Sequence, residues 1–317
     1  MNAPARIDFL AARKSGVGGT DISAIVGLNK WKTATQVFLD KTNQSDPIPD
    51  NDRMYWGRAL EDLVAKEYQV RTGQKTQKVN QQLAHPDHEW AIGNIDRAIV
   101  VPEISGIVRW KDGRLTTTDI LEVKTASSYA EKQWGEPGTD SVPDIYVLQV
   151  QWYMAITSTK VAKIAVLIGG SDFRIYTVER DDSLISDLLE AGHAFWHNHV
   201  LKGIAPEPST YDEAASKWSR HVGQKSKIVD VSIAQACEEI KTLKAQIKDI
   251  ESQIDERQLL VAKAFEDAET ITCAGDVLAT WKVQESTRLD SKALKAAHPE
   301  IASQFSNTTT SRVLRIK

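Results

Sequence analysis

From Asp119 to Thr125 the chain alternates at the period of a β-strand, with Ile120, Glu122 and Lys124 on one face and Asp119, Leu121, Val123 and Thr125 on the other. A carboxylate and an ammonium therefore stand side by side on a single strand. A second strand-like run, from Gly93 to Val101, carries Asp96 and can bring another carboxylate beside them. Two acids, backbone carbonyls and water make a hard oxygen site suited to Mg²⁺ or Mn²⁺, next to a lysine able to orient or deprotonate a water. That is equipment for cutting a phosphodiester. A Glu-x-Lys pair alone is also what a solvated strand face looks like, so its meaning depends on what accompanies it.

Three further segments accompany it. Tyr55 to Tyr68 has a helical pattern in which Leu60 and Val64 face inward while Glu61 faces elsewhere. Tyr146 to Ile156 is a second helix, with Gln149 and Tyr153 one turn apart on one face. Near the start, Arg13-Lys-Ser-Gly16-Val-Gly18-Gly19-Thr20-Asp21 is a glycine-rich bend leading into a helix whose start is marked by Thr20 or Asp21. Backbone amides and a helix N-terminus there suit an anion, although an ordinary tight turn with a capped helix fits the same residues. A nucleoside-triphosphate loop is disfavoured because no Gly-Lys-Ser/Thr follows. A dinucleotide loop needs a preceding strand, and Ile7 to Ala12 is too polar and short for one.

The order Gly57-x-x-x-Glu61, Asp96, Glu122-x-Lys124 and Gln149-x-x-x-Tyr153 resembles the PD-(D/E)XK nuclease superfamily, and within it the YqaJ-type viral recombinases related to phage lambda exonuclease. The resemblance spans roughly residues 10 to 205. It implies an α/β core of the restriction-endonuclease type, a central mixed sheet flanked by helices. It also implies an alkaline-type, metal-dependent 5′→3′ exonuclease that degrades linear double-stranded DNA to expose 3′ strands for recombination. Asp96, Glu122 and the Val123 carbonyl would hold Mg²⁺ or Mn²⁺, as two ions, with Glu61 acting through a water. Lys124 would activate or position the attacking water and Gln149 would fix the geometry. Arg13 and Thr20 would receive the 5′-phosphate; threonine stands where such motifs usually carry serine. The implied partners are DNA ends, a single-strand-annealing protein and further copies of the chain, the lambda-type form being a ring-shaped trimer. A structure-specific endonuclease and a non-catalytic DNA-binding or assembly module are the competing readings.

Composition is compatible with this and decides little. With 317 residues and 41% hydrophobic content, the chain is long enough for two domains and a real core. No apolar run reaches membrane-span length and the first residues lack a signal-peptide stretch, so the expectation is a cytoplasmic protein without a membrane partner. Cys237 and Cys273 have no metal-ligand spacing. The net charge of −4 disfavours broad coating of duplex DNA and favours engagement of an end in a confined channel. Arg53, Arg58, Lys75, Lys78, Arg97, Arg109, Lys111 and Arg114 are candidates to line it.

The remaining pattern predicts helices over 34–41 and 181–201, strands over 75–83, 161–169 and 173–178, and a polar connection over 46–50. Trp31 and, less directly, Trp134 are candidates to stack on DNA, with a packed anchor as the alternative for each; Tyr153 joins the DNA-contact candidates. His193 and His197 lie one helical turn apart but lack the glutamate of a zinc-protease motif, and they are expected to be packed or solvated. The nuclease domain is expected over 1–210. The extension, 211–317, carries a long amphipathic helix over 232–267 with near-coiled-coil spacing, then strand-like segments at 276–284 and 312–317. That helical arm either braces the core or serves as an oligomerisation or docking element.

Overall fold

The computed structural model describes residues 11–45, 49–223, 225–306 and 312–317. Residues 46–48 of the expected polar connection, and residues 7–10, lie outside them. The chain divides into two compact units, Met1–Glu213 and Ala214–Lys317. Among the described residues no helix is long and apolar enough to cross a membrane.

The first unit is built on a five-stranded mixed sheet, as the resemblance implies. Its elements are α1 (Gly19–Ile25), α2 (Ala34–Lys41), α3 (Asp52–Thr72), β1 (Thr76–Lys78), β2 (Leu83–His85), β3 (His88–Gly93), β4 (Arg97–Ile99), β5 (Trp110–Lys111), β6 (Arg114–Leu115) and β7 (Asp119–Ala126). α4 (Asp144–Thr157), β8 (Val161–Ile168), β9 (Asp172–Glu179) and α5 (Asp182–Phe195) complete the unit's core. The sheet order is β1-β4-β7-β8-β9, antiparallel throughout except for the parallel pair β7 and β8, which α4 connects. A parallel pair needs such a crossover, and here it lays a helix over the face carrying Glu122 and Lys124.

The two faces of β7 are covered by different helices. Leu121 and Val123 pack with Ile99 and Ala165 against Val64, Ala65 and Tyr68 of α3. Ile120, on the Glu122 side, joins the larger core with Leu148, Trp152 and Met154 of α4, Ile22 of α1 and Ile185 and Leu188 of α5. Every residue of α4 from Leu148 to Thr157 is buried, which explains why that helix is apolar nearly all round. Each fully buried large aliphatic contributes about 1.5–3 kcal/mol. α3 has clear stops: the Asn51 side chain accepts from the Met54 amide at 3.0 Å, and Gly73, at φ 72°, ends the helix in the left-handed region.

Several expected elements differ. The run from Gly93 to Val101 is not one strand: β3 ends at Gly93, β4 begins at Arg97, and the two belong to different sheets. The break has a cause. β4 pairs with β7 only at Arg97–Leu121 and Ala98–Ile120, and the Val123 amide, next along that edge, donates to Asp96 Oδ2 at 2.9 Å. A side chain has taken over the ladder. The expected strand over 75–83 likewise divides into β1 and β2 in separate sheets, and the helix over 181–201 passes into a π-helical turn at Trp196–Val200.

In the second unit α7 (Val231–Phe265) follows the short α6 (Tyr211–Lys217), which lies at the division between units. Then come an antiparallel pair, β10 (Thr270–Cys273) and β11 (Asp276–Thr280), and the helices α8 (Ser291–Ala297) and α9 (Pro299–Gln304). Residues 312–317 form no strand, contrary to expectation, and β11 takes β10 as its partner.

Candidate active site

β7 and α4 bring four polar side chains together in the interior of the first unit. Lys124 Nζ lies 2.6 Å from Glu122 Oε1 and donates to Gln149 Oε1 at 3.0 Å. Gln149 Nε2 donates to the same Glu122 Oε1 at 2.7 Å and to the Tyr153 hydroxyl at 3.1 Å. One carboxylate oxygen thus takes two donors while the other, Glu122 Oε2, is buried with no hydrogen-bond partner. Such an orphan is costly, and it marks where something else belongs.

Asp96, in the break before β4, stands close enough to interact strongly. Burial, then the Glu122 charge, push its carboxyl well above the ordinary range, against the opposing pull of Lys124. Glu122 is itself raised by burial, with Lys124 opposing. Two buried carboxylates repelling one another, one with an orphaned oxygen, fit a hard divalent cation, whose charge would relieve both penalties. The Val123 amide points to Asp96, and since N–H and C=O of one extended residue face the same edge, the Val123 carbonyl is turned toward that side as well. Asp96, Glu122 and Val123 are therefore the residues that would hold a metal. Among the described residues no group of three or more His, Cys, Asp or Glu side chains gathers for one.

Glu61 makes ion pairs of its own beside the site. Arg97 Nη1 donates to Glu61 Oε1 at 2.7 Å and to the Asp96 carbonyl at 2.5 Å, and its other nitrogen reaches Asp62. Lys78 Nζ is 3.6 Å from Glu61. The Glu61 charge still acts on Asp96 and Glu122, raising both. Arg97, expected among groove-lining cations, is buried and neutralises this acidic helix turn. Arg58 is likewise paired, with Asp50 at 2.5 Å.

The glycine-rich bend approaches the same place. The Val17 amide donates to the Trp90 carbonyl at 2.7 Å and the Ile92 amide to the Val17 carbonyl at 2.9 Å, pinning the loop to β3. A Cβ at Gly16 would stand 2.2 Å from the Trp90 oxygen, and one at Gly19 would stand 2.6 Å from Tyr153 Cε1. These two glycines exist for close approach, of the loop to a strand and of α1 to the Gln149–Tyr153 face of α4. α1 starts at Gly19, capped by Gly18, whose amide donates to Asp21 Oδ2 at 3.1 Å. Neither Thr20 nor Asp21 is the cap. Asp21 is buried against Lys41 at 2.6 Å, and Lys41, then Lys32 and Arg13, outweigh burial and hold its carboxyl far below the usual range. Arg13 donates to Thr20 Oγ1 at 2.5 Å, on the exposed side of the bend.

The aromatic candidates separate. Trp31 is 65% exposed and lines a cavity of about 60 Å³ with Arg53, Thr125, Gln133 and Tyr146. Trp134 is buried, stacked on Tyr146 with ring centres 5.4 Å apart, so it is a packed anchor. Tyr153 is buried too, and it supports Gln149 instead of facing outward; burial and the Glu122 and Asp96 charges drive its phenol far above its ordinary range. Tyr146 was missed: Lys124 Nζ sits 4.8 Å over its ring, and its only signal in the sequence is its position three residues before Gln149. His193 and His197 stack on each other at 4.0 Å and pack edge-on against Trp90.

Residues 8–160 match the model of the YqaJ-like viral recombinase domain. The chain is 34% identical over 320 residues to the uncharacterized protein YqaJ of Bacillus subtilis (strain 168), covering 98% of this chain and 94% of that one. Among solved structures, the alkaline exonuclease LHK-Exo from Laribacter hongkongensis is similar at 18% identity and a TM-score of 0.47, over 62% of this chain and 93% of that one. A phage related exonuclease from Haemophilus somnus 129PT is similar at 15% identity and a TM-score of 0.39, over 62% and 99% of the two chains. With near full-length identity of this degree to a YqaJ protein and a match to the domain that carries the Asp96, Glu122 and Lys124 constellation, the chain belongs to the YqaJ-like viral recombinase family.

Proposed function

We propose that this protein is a divalent-metal-dependent deoxyribonuclease that digests linear double-stranded DNA 5′→3′, exposing 3′ single strands for recombination by strand annealing. The observation that carries the reading is the buried, unpartnered Glu122 Oε2 beside Asp96, a donor set of hard oxygens that suits a cation. When bound, Mg²⁺ or Mn²⁺ supplies positive charge at the scissile phosphate and acidity to water. Two ions are proposed. Hydrolysis joins a water oxygen to phosphorus as the bond to the leaving oxygen breaks, the water giving up a proton and the leaving oxygen taking one from solvent. Lys124, fixed by Glu122 and Gln149, orients that water. Gln149 keeps Glu122 Oε1 occupied, which would leave Oε2 to a cation, and Tyr153 holds Gln149. Glu61 acts through an intervening water and through its charge.

Arg13 and Thr20 receive the terminal 5′-phosphate in this reading. Their mutual hydrogen bond, and the close packing of Gly19 on Tyr153, support it, since they tie an anion-seeking bend to the carboxylate pair. Trp31 and Arg53 flank the cavity beside Tyr146 and are proposed to contact the strand there. Membership of a viral recombinase family supports a role in recombination, with a single-strand-annealing protein as partner, a ring-shaped trimer for processivity and the host cytoplasm as location.

The test is digestion of end-labelled linear duplex beside a covalently closed circle, with and without Mg²⁺ or Mn²⁺. Metal-dependent release of 5′-terminal nucleotides from the linear duplex alone is expected. Cutting of the circle would mark an endonuclease, and end binding with no cleavage under any metal would mark a non-catalytic module.

A further inference from the structure

The 35 residues of α7 carry a heptad repeat broken by one charged residue: Ile233, Ile240, Ile247, Ile254 and Val261 occupy the first core position, and Ala236, Leu243, Ile250, Arg257 and Ala264 the second. Within its own unit most of this stripe is uncovered, Ile240 alone of its large residues being half-buried. Ile233, Leu243, Ile247, Ile250, Ile254 and Val261 are each 44–56% exposed, and only Phe265, at the end of the helix, is buried, against Trp281. Five heptads of seam are far more than a solvated helix needs.

The sequence of the seam says what covers it. A parallel, in-register pairing of two copies would stack Ala236 on Ala236 and Ala264 on Ala264, leaving voids, and would oppose Arg257 with Arg257. An antiparallel pairing centred between Ile247 and Ile250 removes all three faults. Ile233 then faces Ala264 of the second copy, Ala236 faces Val261, and Leu243 faces Ile254, so large residues meet small ones at the ends and large meet large in the middle. Arg257 faces Ile240, whose neighbour Glu239 offers its guanidinium a carboxylate. Lys244 stands opposite Glu251. This register also overlaps the helices along their whole length, about 50 Å at about 1.5 Å per residue.

We propose that α7 pairs with α7 of a second copy of this chain as an antiparallel two-stranded coiled coil, in the register that places Ile247 against Ile250. The pairing is independent of the nuclease reading and of any contact made by the first unit; because three helices cannot pair off within one trimer, it would join copies from separate rings if the trimer forms.

Cysteine pairs test it on the full-length chain, with Cys237→Ser and Cys273→Ser removing the native thiols. Chains carrying Ala236→Cys are mixed with chains carrying Val261→Cys, dissociated, reassociated and oxidised. A disulfide-linked species of twice the chain mass is expected from the mixture and not from either variant alone, because equal positions lie about 38 Å apart in this register. Linking by Ala236→Cys chains alone would establish a parallel pair and overturn the proposal, as would no linking in the mixture. A charge exchange provides a second readout. Glu239→Arg should weaken the dimer at least tenfold by sedimentation, and adding Arg257→Glu should restore it; an unchanged mass distribution in both variants would overturn the register.

Discussion

Gln149 Nε2 and Lys124 Nζ converge on one oxygen of Glu122, at 2.7 and 2.6 Å, and leave its other oxygen without a partner. In the proposed reading the glutamine is a positioning group: it occupies one carboxylate oxygen and leaves the other for a cation. Gln149→Ala should weaken the apparent affinity for Mg²⁺ or the cleavage rate by about 10–100-fold, the usual cost of losing such a supporting contact. Metal titration of the cleavage rate checks this, and a wild-type titration curve would remove Gln149 from the site.

Glu122→Gln keeps the shape of the side chain and removes the charge that repels Asp96. The variant should fold, and should lose cleavage by more than about 10²-fold together with the metal-dependent rise in melting temperature expected of the native chain. Lys124→Ala should also lose cleavage while keeping DNA-end binding. Calorimetry with Mn²⁺ separates the two, since only the Glu122 variant should lose the binding heat.

Arg13 and Thr20 are bonded to one another on the exposed side of the bend. If they hold a terminal phosphate, 5′-phosphorylated duplex should be degraded faster than 5′-hydroxyl duplex, and Arg13→Ala should erase most of the difference. A charge-assisted contact contributes about 1.5–3 kcal/mol, so the ratio of rates should be about 10–100. Equal native rates on both ends would reduce the bend to a structural turn.

Asp21 and Lys41 form a buried ion pair, each side chain 1% exposed. Asp21→Asn leaves the lysine charge without its partner, at a cost of about 3–5 kcal/mol. A fall in melting temperature of about 10 °C follows for a unit of this size. The pH dependence has a definite sign. Because the folded carboxyl lies below its ordinary value, its stabilisation is present above the unfolded pKa of about 3.9 and is lost as the pH falls below it. Melting curves of the native chain and Asp21→Asn should converge on acidification below pH about 4, and a constant gap would refute the assignment.

Gly19 has no room for a methyl group, whereas Gly106 has nothing within 4 Å of an added Cβ. Gly19→Ala should cost about 1–3 kcal/mol through forced displacement of α1 from α4. Because Tyr153 supports Gln149, activity should fall further than stability predicts, and Gly106→Ala should leave both near native values. Matched thermal and kinetic measurements on the two variants decide it.

Local spacing was enough to read those features that depend on one element at a time. The two-residue period of β7 sets Glu122 beside Lys124 whatever surrounds it, and the four-residue interval on α4 sets Gln149 beside Tyr153. The heptads of α7 are legible for the same reason. Features that depend on two distant segments meeting were decided only by tertiary structure. Nothing local reveals that the Asp96 side chain replaces a strand at the Val123 amide, that Arg97 is drawn inside by Glu61 and Asp62, or that Trp134 is covered by Tyr146. The glycines of the bend read as an anion loop along the chain, and only the Trp90 carbonyl and the Tyr153 ring show that Gly16 and Gly19 are required by crowding. Periodicity carries direction along one element, whereas burial, pairing and close approach belong to the contact between elements.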